Sequence, residues 1–323
     1  VSASASDHRL RDRVHAELSA LHSPGGALAD PPPDLAPFFT EAVRLEVATE
    51  YRARRPNAPS DGRAVIVTAG PPGAGKSTAL AALDGIEDYR RIDPDEIKDL
   101  LLGRAAAEGL LDLLGSITLP DGRPVSLREV SWWVHHVSTD IADDVRALSL
   151  SRGENVVVEG TLQWRPLAET YTSQLGLNDY ERLTVLDVEV PLEVAVQQAR
   201  HRWWDYRTGT DPLGGRFMSD EAVARFYDAQ PVAGCAVTAR DLSARASDAG
   251  IVTDLVVISR TKSGSQYGAR IQGSDATAFE ASPGTGAVGA STFGVPCLGC
   301  GQPLTGVESV VLGYGPNCVG ASA

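Results

Sequence analysis

Ala64-Val-Ile-Val-Thr-Ala-Gly70-Pro71-Pro72-Gly73-Ala74-Gly75-Lys76-Ser77-Thr78 decides the fold. An apolar run suited to a buried strand feeds a glycine-rich loop, and Ala79-Leu-Ala-Ala-Leu83 behind it has helical composition. Strand, loop and helix in that order are the context in which G-x-x-x-x-G-K-[ST] cradles phosphate. Gly70, Gly73 and Gly75 let the backbone turn its N–H groups inward, where a Cβ would crowd the turn. The N-terminus of the following helix adds partial positive charge. Lys76 suits the β- and γ-phosphates as a point charge, and Ser77 offers a hydroxyl to Mg²⁺. ATP and Mg²⁺ are therefore the expected ligands.

Working outward, Arg91-Ile-Asp-Pro-Asp-Glu-Ile-Lys98 opens a helix. Asp93 reads as its N-cap, Pro94 as the first helical residue and Glu96 as the third residue of a capping box. Asp95 is left without such a duty, near the end of a second strand, where open α/β sheets place their ligands. Asn155-Val-Val-Val-Glu159-Gly-Thr161 is a buried parallel strand. It carries Glu159 to its C-terminal end, level with the phosphate loop. A carboxylate there is costly unless it meets a metal, a cation or a hydroxyl.

Between these signals, Ser126-Leu-Arg-Glu129 reads as a capping box opening a long helix. Its buried stripe is Val130, Val134, Val137, Ile141, Val145 and Leu148, and Gly153 ends it. Trp132, Trp133, His135 and His136 read as packing, since the histidines have no metal-ligand spacing. Leu183-Thr-Val-Leu-Asp-Val-Glu-Val190 is another strand, and Pro191 starts a helix with Arg200, Arg202 and, just beyond, Arg207. A loop of Thr, Gly and Asp then leads to Arg216. Arginines flanking a glycine-containing loop suit a lid that closes on a transferring phosphate, and Arg202 and Arg216 are the candidates. Asp254-Leu-Val-Val-Ile-Ser-Arg260 is a last core strand, with Lys262-Ser-Gly-Ser as a hairpin turn. Toward the N-terminus, residues 7–22 and about 35–55 read as amphipathic helices, and residues 23–37, with five prolines and two glycines, as a breaker segment.

The chain has 323 residues, 43% of them hydrophobic, enough for a large core and appendages. Its net charge of −13 argues against nucleic acid or an anionic membrane surface as a partner. No run of eighteen apolar residues predicts a membrane span, and no secretory leader is expected at the N-terminus. Four cysteines do not make a disulfide scaffold, so a reducing cytoplasm is the expected compartment. Residues 273–293, rich in Gly, Ala, Ser and Thr, read as a flexible linker. Beyond it, Cys297-Leu-Gly-Cys300 has zinc-knuckle spacing and Cys318 supplies a third thiol. A fourth ligand is missing, which leaves zinc and free thiols both open.

GPPGAGKST, IDPDEIK, VVVEGTL, the strand ending at Pro191 and the arginines after it occur in one order over roughly residues 35–262. Together they resemble the zeta-toxin family, bacterial kinases that phosphorylate UDP-N-acetylglucosamine. The resemblance implies Lys76 on the phosphates and Ser77 on magnesium. It implies Asp95 as catalytic base, Glu159 and Thr161 on the substrate sugar, and Arg202 and Arg216 on the transferring group. Asp143 falls where the family has a substrate-binding glutamate, with Asp140 or Asp144 as neighbours able to serve. The family's EGTLR is here Glu-Gly-Thr-Leu-Gln163. A substrate-contacting arginine is replaced, and Arg165 stands two residues on. The tail resembles a small zinc ribbon.

The expected fold is α/β: a P-loop kinase with a mostly parallel sheet and helices on both faces. The expected domains are a helical extension at 1–34, the kinase at 35–272, the linker at 273–293 and the cysteine tail at 294–323. The expected reaction is transfer of the ATP γ-phosphoryl group to an alcohol, with a nucleotide sugar as small-molecule substrate and an antitoxin protein as possible partner. Another sugar, a nucleoside or an antibiotic is the alternative acceptor that Gln163 raises. A nucleotide-dependent nucleic-acid-end modifier is the alternative from another class. If Cys297, Cys300 and Cys318 bind zinc, purified protein should carry about one equivalent by elemental analysis. Metal-free protein prepared without chelator would exclude the zinc site.

Overall fold

The computed structural model describes residues 5–55, 58–60, 62–83, 85–227, 233–260, 262 and 266–272. The linker and Cys297, Cys300 and Cys318 lie outside the described residues. Along the chain the helices are α1 (Ala5–His22), α2 (Leu35–Phe38), α3 (Glu41–Ala53), α4 (Lys76–Ala81), α5 (Pro94–Ala107) and α6 (Leu113–Ser116). They continue with α7 (His135–Ser151), α8 (Leu167–Leu177), α9 (Leu192–Thr208), α10 (Asp220–Ala224) and α11 (Gly234–Asp248). The strands are β1 (Ala64–Ala69), β2 (Arg90–Ile92), β3 (Val156–Val158), β4 (Arg182–Glu189), β5 (Val252–Arg260) and β6 (Gln266–Gln272). The chain divides into two compact units, one of residues 1–56, 93–145 and 197–222, the other of 57–92, 146–196 and 223–323.

The second unit holds the whole sheet, in the order β2-β3-β1-β4-β5-β6. The first five strands pair in parallel, and β6 returns antiparallel to β5 from Arg260↔Gln266 to Asp254↔Gln272. This is the mostly parallel α/β sheet expected of a P-loop kinase. Val65, Val67, Val156, Val157, Leu183, Val185, Leu186, Val188, Leu255 and Ile258 are buried along it, as continuous apolar runs covered by helices require. Helix α11 packs on β1, β4 and β5 and on α8, and α4 packs on β1 and β4. At the start of the sheet the buried Arg90 meets Glu154 at 2.5 Å, which satisfies a charge pair that burial would otherwise penalise.

The first unit is helical. Residues 35–55 form two helices rather than one. Thr40 interrupts them with an extended backbone, and its hydroxyl accepts from Val43 N at 3.4 Å as the cap of α3. Half of the Ser126 capping box forms: Glu129 Oε2 accepts from Ser126 N at 2.8 Å, while the Ser126 hydroxyl has no partner among the described residues. The box opens a 3₁₀ segment, Leu127–Val134, before α7 takes over. On this stretch Leu148 is exposed, and Leu150 takes the buried place. Trp133 is buried and donates to Leu28 O at 3.3 Å. Trp132, His135 and His136 are more exposed, yet Trp132 packs edge-on against His22 and Trp133 and donates to His22 Nδ1 at 3.2 Å, and the rings of His135 and His136 lie 5.5 Å apart. Helix α1 buries Val14 and Leu18 and sets His15 against the rings of Trp203 and Phe217, with centroids 5.6 and 5.0 Å apart.

Arg207 anchors this unit. Its side chain is 1% exposed and pairs with Glu129 (2.7 Å) and Asp121 (2.8 Å), both nearly as buried. Trp203 Nε1 donates to the same Glu129 at 2.8 Å. Arg207 is thus part of the core rather than of a phosphate-binding lid. Arg207→Ala strands two carboxylates without their cation and is expected to destabilise the protein by about 3–5 kcal/mol, read as a lower urea midpoint. A loss under about 1 kcal/mol would show that water reaches the site and that the pair is not buried in solution.

Candidate active site

In the second unit the loop after β1 takes the backbone its glycines allow. Gly70, Gly73 and Gly75 have φ of 132°, 80° and 91°. A Cβ on Gly70 would run into Val188 O of β4. Gly70 N donates to Thr161 O at 3.1 Å, and Thr68 Oγ1 exchanges hydrogen bonds with Gly160 N (3.0 Å) and O (3.1 Å). The loop is therefore fastened to the turn after β3 on one side and pressed on β4 on the other. Lys76 Nζ lies over it, donating to Gly70 O at 2.8 Å and Pro71 O at 3.1 Å. Pro72 and Ala74 complete the turn, Ala74 buried. Ser77 and Thr78 are exposed in the first turn of α4. Cβ-free turns, a cation and an open hydroxyl fit a nucleoside triphosphate and its magnesium ion.

Around that loop the other expected residues of this unit are distributed unevenly. Glu159 is buried at the end of β3, as its strand predicts, and its carboxylate takes Arg91 Nε. Arg91 is the cation that makes a buried carboxylate tolerable there. Gln163 turns onto α11, where its Oε1 accepts from the Cys235 thiol at 3.1 Å and its Nε2 lies 2.9 Å from the place of a Cβ on Gly234. Burial pushes that thiol up to about 12, so it stays protonated and donates. An arginine at position 163 would meet the same packed helix. Arg165 is exposed. On β4, Asp187 is fully buried and shares Arg240 with Glu189, at 3.3 and 2.7 Å. Burial and the neighbouring Glu189 push Asp187 well above the usual carboxylate range.

In the first unit Asp93 caps α5, its carboxylate accepting from Asp95 N at 2.9 Å, the second helical residue. Tyr51 Oη accepts from Asp93 N at 2.9 Å. Asp95 is busier than its sequence context predicts. Lys98 Nζ donates to Asp95 Oδ1 at 2.9 Å, and Arg216 Nε stands 3.4 Å from Oδ2. Arg216 Nη2 also donates to Asp95 O and, at 2.8 Å, to Asp99 Oδ1. Asp99 in turn receives Arg128 through two nitrogens, at 3.0 and 2.9 Å, and Arg128 reaches Asp211 Oδ2 at 2.7 Å and Gly214 O at 3.0 Å. The loop expected to act as a lid is thus held to α5 by a chain of alternating charges. Arg216 Nη1 is buried without a hydrogen-bond partner among the described residues, a donor left for something else. Arg202 is exposed on α9, Arg200 pairs with Asp220, and Asp143 is exposed on α7.

Burial works against the charge of Asp95, but Lys98, Arg216 and Arg202 more than offset it and hold the carboxyl well below the usual range. Sequence reasoning missed Lys98, Asp99, Arg128 and Arg91 as residues around Asp95 and Glu159. Lys98 and Asp99 had a usable signal, three and four positions after Asp95 on one helix face. Arg128 and Arg91 had none, since their partners are distant in the chain.

The sequence model described as zeta toxin matches residues 48–248. The chain belongs to the zeta toxin family. It is accordingly an ATP-using, nucleotide-dependent kinase, and the match takes in both the phosphate loop and Asp95. No curated protein matches the chain. Among solved structures it is similar to the PezAT chromosomal toxin–antitoxin system of Streptococcus pneumoniae, at 15% identity and a TM-score of 0.46, over 71% of this chain and 82% of that one. It is also similar to the AvrRxo1-ORF1:-ORF2 complex with ATP, at 14% identity and a TM-score of 0.36, over 82% of this chain and 64% of the other. No helix among the described residues is long and apolar enough to cross a membrane.

Asp95, with its pKa lowered in the fold, contributes stability at neutral pH that is lost as pH falls below the ordinary carboxylate value of about 3.9. A carbon-13 titration of its carboxyl should find it ionised down to pH ~4, and Lys98→Met should move the midpoint upward. An unmoved midpoint would show that Lys98 does not hold the charge.

Proposed function

We propose that this kinase transfers the γ-phosphoryl group of ATP to a hydroxyl of a nucleotide sugar, with UDP-N-acetylglucosamine the preferred acceptor. The observation that carries the reading is family membership over a stretch that contains both Lys76 and Asp95. The kinase domain of this reading is residues 35–272, and a neutralising antitoxin is the protein partner that a zeta toxin implies.

Lys76 neutralises charge on the phosphates, exchanging its two carbonyl partners for phosphate oxygens. Ser77, with an exposed hydroxyl, would hold the magnesium ion. That ion supplies charge neutralisation on the β- and γ-oxygens when bound. Asp95 accepts the acceptor's hydroxyl proton. Phosphoryl transfer passes through a loose transition state, so that proton leaves late, and a carboxylate of low basicity serves by orienting the hydroxyl first. Arg216 brings the unpartnered Nη1, and Arg202 adds positive charge; both act on the transferring group. Glu159, Thr161 and Asp143 are the sugar contacts of this reading, with Arg165 in place of the arginine that Gln163 replaces. A different alcohol acceptor is the second reading. It is favoured by Gln163, whose amide is committed to Cys235.

Labelled ATP with a panel of UDP-sugars, nucleosides and aminoglycosides tests the acceptor, and label on UDP-N-acetylglucosamine alone is the expected result. Lys76→Ala should abolish transfer and weaken ATP binding. Asp95→Asn should bind ATP normally and lose about 10²–10⁴-fold in single-turnover rate. Asp93→Asn, which still caps the helix, should lose far less. The reverse order of the two losses would make Asp93 the base.

A further inference from the structure

Arg260 is the last residue of β5 and lies in the same unit as the phosphate loop. Its guanidinium rests on that loop. A Cβ built on Gly75 would stand 2.6 Å from Nη1, 3.1 Å from Cζ and 3.2 Å from Nη2. Its Nε is buried and has no hydrogen-bond partner among the described residues. The group pairs with no carboxylate among them either.

Other arginines of this unit behave differently. Arg90 takes Glu154, Arg91 takes Glu159, Arg240 takes Asp187 and Glu189, and Arg270 takes Asp254 at 2.6 Å. An unsatisfied guanidinium N–H away from water costs free energy, and a second cation, Lys76, stands on the same loop. Two positive groups on one glycine-rich turn call for a polyanion. The loop's own chemistry says which polyanion: the phosphates of a nucleotide.

We propose that Arg260 is a phosphate-binding residue of the nucleotide site, its guanidinium donating to phosphate oxygens across Gly75. The proposal rests on the kinase reading above and adds a residue to it. Glycine at position 75 then has two reasons. Its left-handed backbone starts α4, and its missing side chain lets the guanidinium lie on the loop.

The test uses the full chain with Arg260→Ala, Arg260→Lys and Arg260→Gln, titrated with Mg·ATP by calorimetry, beside Lys76→Ala. Arg260→Ala should weaken ATP about 10-fold or more, the scale of one charge-assisted hydrogen bond. Arg260→Lys should recover part of that loss and Arg260→Gln none, while the thermal midpoints without nucleotide stay together. A brace that merely fills space would be served by Gln as well as by Lys, so equal recovery overturns the assignment. ATP affinities within twofold of wild type for all three variants also overturn it. If those affinities hold while Lys76→Ala loses ATP, the kinase reading stands and only Arg260 is rejected. A wild-type chain that binds no ATP overturns both. Should Arg260→Ala fail to fold, the Lys and Gln variants decide alone.

Discussion

The close approach of Gly70 to Val188 O is the contact on which the nucleotide-binding unit depends. Parallel strands β1 and β4 are bonded from Ala64↔Arg182 to Ala69↔Asp187, so the first residue beyond β1 has to turn where β4 still runs. Only a residue without a Cβ makes that turn, and the amide it frees is held by Thr161 O. The phosphate loop is therefore shaped by the sheet before any ligand arrives. This is the preorganisation that lets a backbone bind charge without first paying an ordering entropy.

The helical unit solves a different problem. It gathers many charges in little space and keeps them soluble in one another. Arg207 is wholly consumed by Glu129 and Asp121. Asp95, Arg216, Asp99, Arg128 and Asp211 alternate in sign, each ion-paired with the next. Within such a chain the charges act as a group, so substitutions along it will not add. Asp95 stands at one end of that chain, where Lys98 also holds it, and its side chain is partly exposed.

How much of this was legible beforehand depended on the range of the signal. The phosphate loop, the Asp93 cap, the valine strand before Glu159 and the β5–β6 hairpin are local, and the chain adopts each as its spacing predicts. The break at Thr40 is local too, yet the apolar period runs through it and hid the cap. Trp132 packs on His22 and Trp133 as expected, although the 3₁₀ segment before α7 leaves it more exposed than Trp133. Residues whose meaning depends on distant partners escaped notice. Arg128 answers to Asp99 and Asp211, Arg91 to Glu159, and Gln163 to Cys235, across 29 to 83 positions. Asp95 looked idle because its partner Arg216 lies 121 positions on.

Strand β2 begins the sheet and is three residues long. Two of the three are arginines, and both are committed to carboxylates of the adjoining strand region, Glu154 and Glu159. A foreign strand seeking to extend the sheet on that side would find room for one or two ladder bonds and would have to displace fixed charges to approach. Short, charged edges of this kind discourage one sheet from templating another. A sheet whose strands otherwise read as runs of valine and leucine thus begins on a strand that offers a poor template for extension.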